Sequence, residues 1–393
     1  MSLLAEVRAV TAVGLSSVPA RLGTSMVIVI GLAAVVAVLL SALALAQGFT
    51  RAAAKTGSPS RAIVLTGDLE TGSNFARDGI VAILNSPGIR AGAGGEAIAS
   101  AEMLTFVGLK NRKTGLNAYA AVRGVGAQAF ALRPEVKIVE GRVFNRGARE
   151  LIVGRAVQNR LGGLAPGSTI PMPNGEWTVT GVFETGGDAH ESEFMTDVDM
   201  LLDANRRNAF NSVTVALDGP DGLARLQAAV EANPTITARV LREDEYYAAA
   251  SSFVSSLLMI VARGVGGLMA FGAIFAALNT MYTAVSTRAS EIATLRAIGF
   301  GPAAVAASVI AEALLLAFAG ALLGALIAWA LLDGSTVSAM TGISQSQLTF
   351  GLSVDAGLLW TGIASALMVA AIGGSLAAVR AARIPVADAL RMT

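Results

Sequence analysis

The sequence predicts an α-helical membrane protein with four transmembrane helices and a large α+β extracytoplasmic domain inserted between helices 1 and 2. Three observations carry that prediction. The chain of 393 residues is 54% hydrophobic and only 15% charged, where a soluble protein carries about a quarter charged residues. The shortage is concentrated in uncharged runs at Leu22–Thr50, Gly264–Thr287, Ala303–Ala311, Ala313–Leu332 and Ala356–Val379. Arg51 to Tyr247, by contrast, has mixed charges and ordinary polarity, and roughly 200 residues suffice for a core of their own.

The spans follow from length. About 20 apolar residues at helical rise match the hydrocarbon thickness, which places a first span at 24–47, a stalk and second span at 251–287, a third at 302–332 and a fourth at 356–379. Residues 1–23 read as an interfacial helix, with Leu3, Leu4, Val7 and Val10 on one side before Pro19. Ala44-Leu45-Ala46 resembles a signal-peptidase site, but the apolar run before it exceeds the 7–15 residues usual for a signal core. From Glu243 to Thr287 no break signal occurs, and a helix of that length reaches about 60 Å, twice the hydrocarbon. It is expected to project as a stalk, with Arg263 near the outer interface.

The domain at 48–250 reads as short elements and many turns. Arg61–Leu65 predicts a strand and residues 75–85 a helix stopping at Ser86-Pro87-Gly88. Met103–Leu109 and Leu116–Arg123 flank a polar turn at 110–115, and Thr169–Met172 and Trp177–Phe183 flank Pro173-Asn174-Gly175, so two hairpins are expected. Leu151–Val153 and Val213–Leu217 read as strands, Ala156–Leu161 and Leu223–Ala232 as helical.

Orientation follows from the arginines of the short flanking segments. Arg8 and Arg21, then Arg288 and Arg296, then Arg380, Arg383 and Arg391 mark one side, while the loop 333–355 has no Lys or Arg. The positive-inside rule puts both termini and the 288–301 segment in the cytoplasm, with a tail at 380–393, and the large domain outside. The net charge of +1 gives no reason to expect a nucleic-acid partner. The chain has no cysteine, so the domain is expected to be stable through packing without disulfides.

Residues 285–313 are a charged island between two apolar segments. Arg288, Glu291 and Arg296 interleave with Ile292, Leu295 and Ile298 at helical spacing. Gly299 and Gly301 can end a helix, and Pro302 suits the first turn of another. A short amphipathic helix and a sharp turn are expected, presenting a surface outside the bilayer. From the pattern alone, docking to a partner and a helix resting on lipid headgroups are equally good readings.

Catalytic constellations are missing from the sequence. Gly108–Thr114 lacks the second glycine of a P-loop, and no H-E-x-x-H or G-x-S-x-G occurs. His190, with Asp188, Glu191 and Glu193, could be drawn as a metal site, but on a glycine-rich loop the expectation is solvated charge. Glu312, the carboxylate inside the third span, is expected to bond a neighbouring helix or the 288–301 segment rather than relay protons. Gly320, Gly324 and Ala328, spaced by four, permit close helix approach, or reflect only the frequency of small residues in spans.

Val285, Arg288, Glu291-Ile292, Leu295-Arg296-Ala297-Ile298-Gly299 and Glu312-Ala313 resemble the signature of FtsX-like permeases, the membrane subunits of MacB-type (type VII) ABC transporters. The tail Ala378 to Pro385, followed by Ala389-Leu390-Arg391, is also similar to that family, and Glu291 to Phe300 most resembles its DevC-type exporters. The resemblance implies a MacB-like periplasmic core, an inner-membrane location and no cofactor on this chain. It implies a separate ABC ATPase, carrying ATP and magnesium, docked through Ile292, Leu295 and Ile298 with Arg288, Glu291 and Arg296 at the rim. It further implies a second permease chain, contact with membrane lipid, and a periplasmic adaptor with an outer-membrane channel. Export driven by mechanotransmission is the expected function. The alternative is an FtsX-like transducer that regulates a periplasmic enzyme and transports nothing.

Overall fold

The computed structural model describes residue 6 and residues 22–111, 115–172, 174–235, 237–340 and 347–383. Apart from residue 6, the expected interfacial helix before residue 22 lies outside them, as does the family-like tail beyond residue 383. The chain forms two compact units. One holds the chain up to Ala46, Leu258–Ser335 and the part from Leu352 onward; the other holds Gln47–Leu257 and Thr336–Gly351. Helix α1 (Leu22–Lys55) opens the described chain and runs well past the expected end of the first span.

In the larger unit, two split β-α-β units interleave. The first is β1 (Arg61–Leu65), α2 (Arg77–Leu84) and β2 (Ala99–Lys110); the second is β9 (Ser212–Ala216), α6 (Gly222–Ala232) and β10 (Arg239–Arg242). Strand β9 lies antiparallel between β1 and β2, and β1 lies antiparallel between β9 and β10. Both central strands are buried at all five positions, because helices cover the sheet where polar residues would otherwise be needed. Ile80 and Ile83 of α2, and Leu226 and Val230 of α6, are buried at spacings of three and four, as one helix face requires.

Everything between β2 and β9 is an insertion that extends the same sheet. It contains β3 (Asn117–Val125), α3 (Ala129–Leu132), β4 (Lys137–Gly141), β5 (Glu150–Gly154), α4 (Arg155–Leu161), β6 (Thr169–Met172), β7 (Gly175–Glu184), β8 (Glu193–Asp197) and α5 (Val198–Ala204). The strand order is β10-β1-β9-β2-β3-β8-β5-β7-β4, with β6 paired to β7. Both expected hairpins are present, β2 with β3 and β6 with β7. In the second, Asn174 and Gly175 supply the positive φ of the turn; in the first, residues 112–114 lie outside the described residues. Strands β4, β8 and β10 and helices α3 and α5 are additions to the expected elements. Strand β8 hides in the sequence because Glu193 and Asp197 are charged, yet all five of its residues are buried.

The chain leaves the larger unit through α7 (Glu243–Thr287), followed by α8 (Ala289–Ala297), α9 (Pro302–Leu332) and α10 (Ala356–Ala382). Helices α1, α7, α9 and α10 are long and apolar enough to cross a membrane. A Cβ at Gly320 would stand 2.7 Å from the Val29 carbonyl, and one at Gly324 2.4 Å from that of Ala33, so α9 and α1 touch backbone to backbone there. Ala328 continues that buried stripe. The 333–355 segment is more than the short loop expected: it holds an antiparallel hairpin, β11 (Thr336–Met340) with β12 (Gln347–Gly351), which belongs to the larger unit.

Candidate functional site

The elbow between α7 and α9 is built by backbone chemistry. Helix α8 closes in a Schellman motif: Phe300 N–H donates to the Leu295 carbonyl at 3.2 Å, and Gly299 N–H to that of Arg296 at 3.1 Å. Gly299 takes φ +110°, which a side chain would resist. Gly301 then turns extended, and Pro302 starts α9 at the position where its missing N–H costs nothing.

The side chains divide between the protein's own interior and its surface. Arg288 Nη1 donates to Glu312 Oε2 at 2.8 Å, with both side chains about one-tenth exposed (12% and 11%). Arg288 Nε also lies 3.3 Å from Glu291 Oε2. Glu312 therefore bonds the junction of α7 and α8, where an acid inside an apolar helix finds its counter-charge. Ile292 is buried in the cluster formed with Met281, Val285, Val305 and Val309. Leu295 and Arg296 are half-buried; Glu291, Ala297, Ile298 and Gly299 are exposed, Ile298 at 72%. Two residues thus differ from expectation. Ile292 cannot serve as an apolar contact for a partner, because its own helices already cover it. Arg288 is no rim charge, because Glu312 draws it inward. A cavity of about 330 Å³ remains beside this pair, with Leu295, Val305 and Val309 among its walls.

The second concentration of charge is buried in the larger unit. Arg123 is bonded to Glu70 and Glu193 at 2.7 Å and to Glu102 at 3.0 Å. Arg133 reaches Glu102 and Glu243, and Arg61 joins Glu243 to Glu135. Glu243 opens α7, and the Tyr246 hydroxyl one turn on accepts the Glu70 N–H at 3.0 Å. Burial alone would raise the Glu102 carboxyl, but Arg133 and Arg123 outweigh it and hold the group down at about 2. Glu193 is likewise driven well below the usual range: burial opposes, and Arg123 and His190 prevail.

The loop around His190 corrects the expectation of solvated charge. Asp188, His190 and Glu193 are all buried. Asp188 caps a single 3₁₀ turn (Ala189–Ser192), accepting from the His190 and Glu191 backbone and from the Thr185 hydroxyl. Glu191 accepts from the Thr185 and Gly187 N–H groups. His190 Nδ1 lies 3.2 Å from Glu193. Each acid is committed to a different structural bond, and among the described residues no group of three His, Asp or Glu side chains is arranged to hold a metal. Sequence reasoning missed the arginine–glutamate network entirely, since its members come from widely separated segments.

A family model for the FtsX-like permease C-terminal region matches residues 263–386. A model for the MacB-like periplasmic core domain matches residues 22–233, more than half of the chain. Among solved structures, the periplasmic region of MacB from Actinobacillus actinomycetemcomitans is 13% identical, with 49% of this chain and 92% of that chain covered and a TM-score of 0.37. The extracellular domain of the noncanonic ABC-type transporter YknZ from Gram-positive bacteria is 16% identical, covering 43% and 89%, with a TM-score of 0.34. No curated protein sequence matches the chain. With four apolar helices, a large domain between the first two and both family matches in register, this chain belongs to the FtsX-like permeases that carry a MacB-like periplasmic core domain.

Proposed function

We propose that this chain is the membrane subunit through which a separate ABC ATPase does mechanical work on the periplasmic side, exporting a periplasmic or membrane-derived substrate. The observation that carries the proposal is the elbow. Its Schellman turn and Arg288–Glu312 pair lock α8 onto α7 and α9, so force applied to α8 moves the helices rather than bending a loop. The surface offered to the ATPase is Glu291, Leu295, Arg296, Ala297 and Ile298, with Ile298 as its most exposed apolar side chain. In this reading the elbow and both termini are cytoplasmic, ATP and magnesium stay on the partner, and two permease chains act together. The periplasmic adaptor and outer-membrane channel belong to the export reading alone.

The test is co-purification after mild detergent extraction, with the ATP hydrolysis rate of the extracted complex. Glu291→Lys and Ile298→Asp are expected to abolish both ATPase recovery and its stimulation while leaving membrane insertion unchanged. Leu295→Asp should act likewise, though it also disturbs the cavity wall. Undiminished recovery of the ATPase with both surface variants would defeat the proposal. An adaptor in the complex supports export; a peptidoglycan-hydrolase activator in its place supports transduction without transport.

A further inference from the structure

The segment from Thr185 to Glu193 holds more of the chain together than its length suggests. Its glycines, Gly186 and Gly187, take φ +82° and +85° and turn the backbone so that Asp188 can cap the following 3₁₀ turn. Three different parts of the chain then meet that turn. The Thr56 hydroxyl, just beyond α1, accepts the Ala189 N–H at 2.9 Å. Tyr247, in the first two turns of α7, stands edge-on to the His190 ring at 5.6 Å. Ser192 makes a reciprocal pair with the hairpin: its hydroxyl accepts the Thr349 N–H at 2.8 Å and donates to the Thr349 carbonyl at 3.3 Å.

The hairpin is seated as well as bonded. Phe350 of β12 packs edge-on against Phe49 of α1, a fully buried ring, at 5.8 Å. A Cβ on Gly48 would come within 2.9 Å of the Phe350 ring, so the glycine is what admits it. Beneath the turn, Glu193 connects to Arg123, and through Glu102 the same buried network reaches Arg133 and Glu243 at the start of α7. A displacement of β12 is therefore passed through Ser192 to a rigid set of charges, not to a soft loop.

We infer that Ser192 is a positioning residue that couples the β11–β12 hairpin, and so the connection between the last two spans, to the periplasmic domain. It provides a second mechanical path beside α7. This rests on the proposed function for its consequence, but the contact itself can be tested without it.

In the ATPase complex, Ser192→Ala is expected to lower ATP hydrolysis about fivefold, the low end of coupling between sites, with ATPase recovery unchanged. Ser192→Thr, which keeps the hydroxyl that bonds the Thr349 backbone, should retain the wild-type rate. Rescue by the retained hydroxyl is something a merely space-filling role would not give. In the full chain alone, in nanodiscs, Ser192→Ala should speed amide exchange across 347–351 about tenfold as the local opening becomes easier. A wild-type rate for Ser192→Ala, the Ser192→Ala rate for Ser192→Thr, or unchanged exchange would each overturn the inference. Should no ATPase accompany the wild-type chain, the docking proposal fails, and the exchange measurement still decides the Ser192 contact.

Discussion

Arg288 and Glu312 show how one residue pair can fix an elbow. The carboxylate was legible in the sequence as a polar interruption of the third span, with a neighbouring helix or the 288–301 segment as its expected partner; that the partner is Arg288, 24 positions back, is decided by the fold. Removing one member of a buried pair leaves the other uncompensated, at a cost of about 3 kcal/mol. Arg288→Met, which takes the counter-charge from Glu312, is therefore expected to lower the melting temperature of the full chain in detergent, and Arg288→Met/Glu312→Leu to recover most of the loss. His190 makes a different prediction. Burial lowers its affinity for a proton, but Glu193 and Asp188 outweigh burial and the opposing Arg133, and the net shift is upward from 6.5; Tyr247 is the uncharged wall. A raised folded value means the stabilisation is full below the unfolded value and is lost as pH rises through the folded one. Thermal unfolding from pH 6 upward should show that loss in the wild type, and His190→Gln should flatten it.

At the scale of elements, the glycines of α9 carry the tightest constraint. Spacing suggested that Gly320 and Gly324 could face a neighbour; it could not say which helix. The neighbour is α1, and at Gly324 the Ala33 carbonyl occupies the place of a side chain. Gly324→Leu is expected to force α1 and α9 apart and cost several kcal/mol, about the upper range for overpacking, read as a lower melting temperature and as a smaller yield of folded protein. Gly324→Ala should show a milder form of the same defect. The short helix α8 teaches the opposite lesson. Its start, end and turn glycine were all readable, because caps are local chemistry. Which of its apolar residues face inward was not readable, since Ile292 is claimed by Met281, Val285, Val305 and Val309 of other helices.

For the whole molecule, the large domain and the α8 elbow are expected on opposite sides of the membrane. A single cysteine can be placed at will in a chain that has none. Glu291→Cys should react with a membrane-impermeant thiol reagent only after the membrane is opened, and Gly186→Cys should react in spheroplasts directly. Reaction of Glu291→Cys from outside would reverse the topology and with it the docking proposal. The family assignment would stand, since it rests on the matched residues 22–233 and 263–386.

What the sequence alone determined is whatever depends on composition and on neighbours a few residues away. The four spans follow from uncharged length, the two hairpins from alternation around turn residues, and the elbow from Gly299, Gly301 and Pro302. Tertiary structure alone decided where the charges go. The polar stretch from Asp188 to Glu193 reads as a loop in water because a solvent-facing acid and a buried, arginine-bonded acid are the same letter. Only the fold brings Arg123 to Glu193, Arg133 to Glu102 and Arg61 to Glu243, and only the fold sets Thr349 against Ser192. A buried charge is tolerable only with its counter-charge in place, and no local pattern records a partner that arrives from far along the chain.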